Sequence, residues 1–361
     1  MHPESVQSSE LPKRLVIRLS SLGDVILSSA VLESSHLVSG VDWLVAREYA
    51  DVLRGHPRIR RLWEFDRRSG LAAFVRLGRK LWNERYDEVI DLHGTLRAKV
   101  LRSLFWFWGM LDVAQSLRKP PRWIRSSKQP LPLFGFILFK KLWPRRLLSR
   151  PQTEVFAQTG GGTGAERPNL EHLLDSPSGD EICLPSKPYL CVMPSSSKPG
   201  KTWPAAQYFS VLKGIPHLFP VILGQSSDPE SRELVELLRR AEVPHLSGVG
   251  AWNLTQVARV LGRAAGYLGS DTGLAHLAEA VGTEIIVIYG PTAPGLGFEP
   301  WRPGSRMVGA PLWCRPCGKI GEFCFRPISK FHCLKILQTQ AVLDVVRCRY
   351  PNDRNDSGTL R

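Results

Sequence analysis

The sequence predicts an α/β protein built from two doubly wound domains, and three observations predict it. Short β-rich runs alternate with segments of helical length, the pattern of parallel sheets joined by crossover helices. The alternation stops at a stretch rich in Gly, Pro, Thr and Ser over residues 158–178 and then restarts, which reads as a linker. A chain of 361 residues also exceeds the usual size of one hydrophobic core, so two domains of ordinary size are the default.

The first strand is Leu15-Val16-Ile17-Arg18-Leu19, followed by a tight loop and an apolar helical pattern through Val25, Ile26 and Leu32. Further strands are expected at residues 41–45, 61–65 and 88–92. Beyond the linker come strands at 189–193, 220–224, 265–269 and 284–290, with helices at 205–213 and 230–240 between them. These elements set the domains at 13–170 and 185–350, leaving 351–361 as a polar, disordered tail. In open sheets of this kind, ligands bind outside the carboxyl ends of the strands.

Composition bounds the function. An excess of 48 Lys and Arg over 33 Asp and Glu gives a net charge of +15, which suits anionic partners. The basic runs, such as Arg58-Ile59-Arg60-Arg61 and Lys140-Lys141-Leu142-Trp143-Pro144-Arg145-Arg146, fall mostly in the first half. Each alone reads as a solvated face; together they suggest an acidic substrate. Nucleic acid is not expected, because no recognition helix, zinc finger or aromatic RNA-binding motif accompanies the charge. The polar residues 1–13 lack the apolar core of a secretory signal, so a cytoplasmic protein is expected. No run approaches the ~20 apolar residues of a spanning helix. Residues 104–111 and 131–143 are short, apolar and flanked by Arg and Lys; they suit a membrane interface or a buried core helix, and burial is the default.

Three loops carry groups suited to chemistry. In Ser20-Ser21-Leu22-Gly23-Asp24-Val25, Gly23 allows close approach of a ligand, and Asp24 can accept a proton from a hydroxyl or cap the following helix. In the loop from Pro194 to Pro204, Ser196, Ser197 and Lys201 can bind a diphosphate, Lys201 above all. Its Gly200-Lys201-Thr202 is not a P-loop, for the first glycine is missing. In Gly269-Ser270-Asp271-Thr272-Gly273-Leu274-Ala275-His276, a helix N-terminus makes an anion site, with His276 either facing it or satisfied in the core.

The ordered set Ser-Ser-Leu-Gly-Asp-Val, Lys-x-Trp-Pro and Ser-Asp-Thr-Gly-Leu-Ala-His-Leu resembles the ADP-heptose:lipopolysaccharide heptosyltransferases, glycosyltransferase family 9, from about Leu15 to about Leu343. The resemblance implies a GT-B fold, two Rossmann-like domains facing across a cleft, with the acceptor on the first and the nucleotide sugar on the second. It implies an inverting, metal-independent transfer needing no cofactor, from an ADP-sugar donor to the inner core of lipopolysaccharide, at or near the inner membrane. By the same resemblance Asp24 is the general base. Lys201 holds the donor phosphates, and Asp271, Thr272 and Gly273 meet the diphosphate and sugar, with His276 one turn further on as a donor-side candidate. Ser196 and Ser197 take the family's hydroxyl positions, and Asp228 stands where a Glu near the ribose is usual. Arg97, in Asp91-Leu92-His93-Gly94-Thr95-Leu96-Arg97, falls with Gly23 on the acceptor side. A related enzyme with another sugar nucleotide and a non-catalytic binding protein are the rivals. Cys314, Cys317, Cys324 and Cys333, with His332, have spacings that zinc or an iron–sulfur cluster uses; packed, reduced thiols are the preferred reading, with no metal assigned.

Overall fold

The computed structural model describes residues 12–116, 120–127, 129–176 and 182–352. The expected tail lies outside the described residues from 353 onward, as does the end of the expected linker, residues 177 and 178. The chain forms two compact units: Met1–Ser127 with Val155–Glu166, and Lys128–Glu154 with Arg167–Arg361.

The first unit runs β1 (Arg14–Ile17), α1 (Leu22–Ser28), β2 (Val41–Ala46), β3 (Ile59–Phe65), α2 (Gly70–Asn83), β4 (Glu88–Asp91), α3 (Leu96–Ser116) and β5 (Arg122–Arg125). Its sheet has the order β3-β2-β1-β4-β5, parallel throughout. All six residues of β2 are buried, as expected of a strand covered on both faces. On α2, Phe74, Leu81 and Trp82 face the core. Trp82 meets Phe105 of α3 edge-on at 5.4 Å, a favoured aromatic geometry. The one charged group inside β2, Asp42, accepts from Arg60 at 2.9 Å and from the Tyr86 hydroxyl at 2.5 Å, so its buried charge is met.

The second unit begins with α4 (Pro130–Phe139) and the start of α5 (Gln152–Thr159), whose remainder belongs to the first unit. It continues with β6 (Tyr189–Met193), α6 (Ala205–Lys213), β7 (Phe219–Ile222), α7 (Pro229–Arg240), β8 (Leu246–Ser247) and α8 (Leu254–Gly262). β9 (Gly266–Ser270), α9 (Gly273–Ala280), β10 (Ile285–Ile288), β11 (Arg306–Val308), α10 (His332–Lys335) and α11 (Thr339–Arg349) complete it. The sheet order is β11-β10-β9-β6-β7-β8, again all parallel. Trp203 and Tyr208 pack edge-on at 5.0 Å in its core, against Leu234, Leu238 and Val342.

The stretch read as linker contains the change from the first unit to the second, between Glu166 and Arg167, and beyond it the chain is anchored: Leu170 is fully buried and its N–H donates to the carbonyl of Ala280 at 2.9 Å. One sequence expectation changes. The apolar runs are not simply core helices. Phe105 is buried, but Trp106, Phe107, Met110 and Leu111 of α3 are more than half exposed, and so are Leu131, Phe134 and Leu138 of α4.

Strand order fixes where each unit can bind. In the first sheet, neighbours run outward from β1 toward β2 on one side and β4 on the other. In the second they diverge from the β6–β9 pair. Connections leave such a switch point in opposite directions, opening a crevice at the carboxyl ends of the two central strands.

Candidate functional site

At the first switch point, the loop after β1 enters α1 with Ser21 as N-cap. Asp24, in the first turn of α1, accepts from the Ser21 amide at 3.3 Å and the Ser21 hydroxyl at 3.1 Å. Capping and chemistry are therefore not alternatives here. The cap holds the carboxylate, whose side chain keeps 29% of its surface accessible, at the mouth of the sheet.

Arg18, which the sequence reading took only as part of a strand, completes this arrangement. Its Nη2 lies 2.7 Å from Asp24 Oδ2, with the Arg18 side chain 11% exposed. Nη1 donates to the carbonyl of Leu92, in the loop after β4, and the guanidinium lies 5.3 Å over the Phe156 ring. One cation thus joins the two loops that the switch point brings together. In the β4 loop, Asp91 is buried and accepts from the amides of His93 at 3.0 Å and Gly94 at 2.8 Å. This shapes the turn that leads to Arg97, which is exposed with its guanidinium 5.9 Å from the Phe65 ring. Gly23 lies within the first turn of α1.

At the second switch point, the loop after β6 and the loop after β9 converge. Lys201 Nζ is 2.7 Å from Asp271 Oδ2, with side-chain exposures of 16% and 8%. The Ser270 hydroxyl donates to the Pro194 carbonyl at 3.1 Å, locking the loop bases together. Thr272 is the N-cap of α9 and Gly273 its first residue; no side-chain cap bond is made. The first-turn amides of α9 thus lie in sequence directly after Asp271, and they supply the partial positive charge of a helix N-terminus. Ser196 is half-buried, its hydroxyl accepting from the Lys198 amide at 3.2 Å, and Ser197 is exposed. Gly200 is buried where a Cβ would fall 2.3 Å from the Gly321 carbonyl, so the loop is closely packed from behind.

The remaining candidates make contacts of their own. Asp228 caps α7 and accepts from the Gln225 amide at 2.8 Å; its contacts are those of a turn. His276 is 6% exposed and stacks on Trp301 at 6.0 Å and 13°. One turn on, Glu279 is fully buried and accepts from the amides of Trp301 and Arg302, at 3.0 and 2.9 Å, and from the Ser305 hydroxyl at 2.8 Å. Burial pushes its carboxyl up to about 7 despite those donors. Sequence reading missed Glu279 because its partners arrive from a loop beyond β10.

The basic run at 58–61 is committed internally. Arg58 bonds the carbonyls of Leu32 and Ser34, Arg60 pairs with Asp42, and Arg61 pairs with Glu84. These cations are paired within the fold while keeping part of their surface exposed. Cys314, Cys317 and Cys333 are buried free thiols and Cys324 is half-buried. Burial pushes the Cys333 thiol up to about 11. Among the described residues, no group of three or more His, Cys, Asp and Glu is placed to hold a metal ion.

The sequence profile described as glycosyltransferase family 9 (heptosyltransferase) matches residues 150–324. Lipopolysaccharide heptosyltransferase 1 of Pseudomonas aeruginosa is 27% identical over 334 residues, covering 84% of this chain and 86% of that protein. The Escherichia coli protein of the same name is 25% identical over 308 residues, 78% and 89% of the two chains. Among solved structures, E. coli heptosyltransferase WaaC with ADP superposes with a TM-score of 0.65 at 19% identity, covering 93% of this chain and 99% of that one. E. coli heptosyltransferase II gives 0.67 at 17% identity, covering 93% and 98%.

Proposed function

We propose that this chain, which has the GT-B fold and is similar to the heptosyltransferases of glycosyltransferase family 9, transfers heptose from an ADP-activated donor to the inner core of lipopolysaccharide, with inversion at the anomeric carbon. The observation that carries the reading is the meeting of Lys201 and Asp271 beside the N-terminus of α9. A half-buried lysine beside the first turn of a helix that lacks a side-chain cap bond suits a diphosphate leaving group. A carboxylate held at the mouth of the other sheet, Asp24, suits a general base.

In this mechanism the first unit binds the acceptor and the second the nucleotide sugar. Asp24 takes the proton of the acceptor hydroxyl as its oxygen attacks the anomeric carbon. The bond from that carbon to the β-phosphate oxygen breaks, and ADP leaves with its added charge met by Lys201 and the α9 amides. Ser196, Ser197, Thr272 and Gly273 line the diphosphate and sugar, His276 and Asp228 the remainder of the donor. Gly23 and Arg97 face the acceptor, Arg97 toward its acidic groups. The acceptor is a lipid-anchored glycan, so the reaction takes place at the cytoplasmic face of the inner membrane.

The test is transfer from ADP-heptose, beside other sugar nucleotides, to truncated lipopolysaccharide acceptors by wild type, Asp24→Ala and Lys201→Ala. Transfer from ADP-heptose that both substitutions abolish supports donor and site together. Transfer only from another nucleotide overturns the donor. Retained transfer in Asp24→Ala overturns the base.

A further inference from the structure

The least explained surface of the second unit is α4 and the segment after it. Leu131, Phe134 and Leu138 are 80%, 66% and 56% exposed, and their spacing puts them on one helical face. Leu142 just beyond is 85% exposed. The opposite side is held fast. Gly135 is buried where a Cβ would fall 2.3 Å from the Trp143 ring, and Phe136 lies against Gly295. Trp143 stacks on Phe139 at 5.8 Å. The apolar face is therefore presented by a fixed helix.

Charge follows the same segment. Between residues 113 and 153 the sequence has no Asp or Glu. Lys140 is engaged, bonding the Pro316 carbonyl and lying 3.9 Å from the Phe325 ring. Lys141, Arg145 and Arg146 are exposed and make no ion pair among the described residues. The other long basic run, at 58–61, is satisfied by internal carboxylates and carbonyls; this one is not.

We propose that the outer face of α4, with Lys141, Arg145 and Arg146, docks on the surface of an anionic phospholipid bilayer. Apolar side chains entering the acyl boundary beside cations at headgroup level is how an interfacial helix holds a membrane. The helix lies on the bilayer and does not cross it, for no described helix is long and apolar enough to span. A second copy of this chain is the competing occupant. A two-fold contact through this face sets the same patch of both copies together, with no carboxylate in the segment to offset its cations. An anionic bilayer meets apolar face and charge at once. The inference rests on the proposed function only for its purpose, bringing the enzyme to a lipid-anchored acceptor; binding is read without transfer.

Flotation of the full chain with phosphatidylcholine vesicles, alone or with phosphatidylglycerol, tests it, together with sedimentation velocity in the absence of lipid. The variants are Leu131→Ser/Phe134→Ser/Leu138→Ser and Lys141→Ala/Arg145→Ala/Arg146→Ala. Wild type is expected to float with the anionic vesicles and to be released by salt. The basic triple variant is expected to lose about a hundredfold in partitioning, at roughly a factor of five per cation. The apolar triple variant should lose at least as much, and both should keep the wild-type melting temperature and rate on a water-soluble acceptor. Equal flotation of wild type and variants, no flotation of wild type, or a wild-type dimer that the apolar variant breaks would each overturn the proposal.

Discussion

Nη2 of Arg18 lies 2.7 Å from Oδ2 of Asp24, while Nη1 of the same guanidinium donates to the carbonyl of Leu92. One planar fork therefore spans the β1 and β4 loops, which Lys, with a single point charge, cannot reproduce. If Asp24 is the general base, Arg18 is its positioning residue. Asp24→Asn should lower kcat by about a hundredfold to ten-thousandfold, the usual share of a general base. Arg18→Ala should lower kcat about tenfold to a hundredfold with donor KM unchanged, and Arg18→Lys should recover only part of it. Steady-state kinetics with both substrates varied checks this. An Arg18→Ala enzyme with wild-type kcat would remove the positioning role.

Lys201 and Asp271 make a second prediction, because a nearly buried pair behaves differently when one or both members are changed. Removing Lys201 alone leaves Asp271 uncompensated at 8% exposure and should cost stability of about 3 kcal/mol. The double change Lys201→Ala/Asp271→Asn should restore most of that, since no buried charge is left alone. ADP affinity should follow the lysine instead, falling roughly tenfold to a hundredfold in both the single and double variants. Melting curves beside calorimetric titration with ADP separate the two effects. ADP binding that recovers in the double variant would mean Lys201 acts only as a partner for Asp271.

The strands that sequence reading found and those it missed differ in a physical way. The runs at 15–19, 41–45, 189–193 and 284–290 became interior strands, where burial on both faces demands continuous apolar sequence; the run at 61–65 became an edge strand, β3, but one of seven residues with Trp63 and Phe65 buried. β5, β8 and β11, absent from that reading, are all edge strands of two to four residues, with sequences RWIR, LS and RMV. Edge strands need neither length nor apolar faces and leave little local signal. The candidate residues were legible for the same reason that loops at helix starts are legible: Asp, Thr, Gly and Lys there answer to backbone geometry and charge. Their partners were not. Arg18 sits inside an apolar run and meets Leu92 only because β1 and β4 are neighbours. Glu279 reads as one polar position on a helix until the loop at 301–305 closes on it.

Gly200 gives a third prediction. A Cβ there would meet the Gly321 carbonyl at 2.3 Å and Pro291 at 2.7 Å, and Gly290 closes on the Gly200 carbonyl from the other side. Backbone cannot retreat as a flexible side chain can, so Gly200→Ala must push the loop outward. The expected cost is about 1–3 kcal/mol of stability, as for overpacking elsewhere, with ADP affinity reduced because Lys201 is the next residue. Ser197→Ala, at an exposed position of the same loop, should leave the melting temperature unchanged. Equal melting temperatures for Gly200→Ala and wild type would show that the loop has room to give.

Glu279 makes the stability of the second unit depend on pH. Its carboxyl is pushed up to about 7 by burial, against the ordinary 4.5, with the Arg302 charge and the donors from Trp301 and Ser305 opposing the shift. Below the unfolded value the group is protonated in both states, and its contribution to stability is fully present. Between about 4.5 and about 7 the unfolded chain releases the proton while the folded one keeps it, so stability falls as pH rises. Above about 7 the folded state ionises as well and the loss levels off, at roughly 3 kcal/mol in total. Glu279→Gln keeps the shape, stays neutral and removes this slope. Chemical denaturation of both proteins across that range is the check: the difference in stability between variant and wild type should move in favour of Gln as pH rises and then become constant. A pH-independent difference would mean that the carboxylate is as well satisfied ionised as protonated. The four hydrogen-bond contacts from Trp301, Arg302 and Ser305 would then outweigh desolvation at this site.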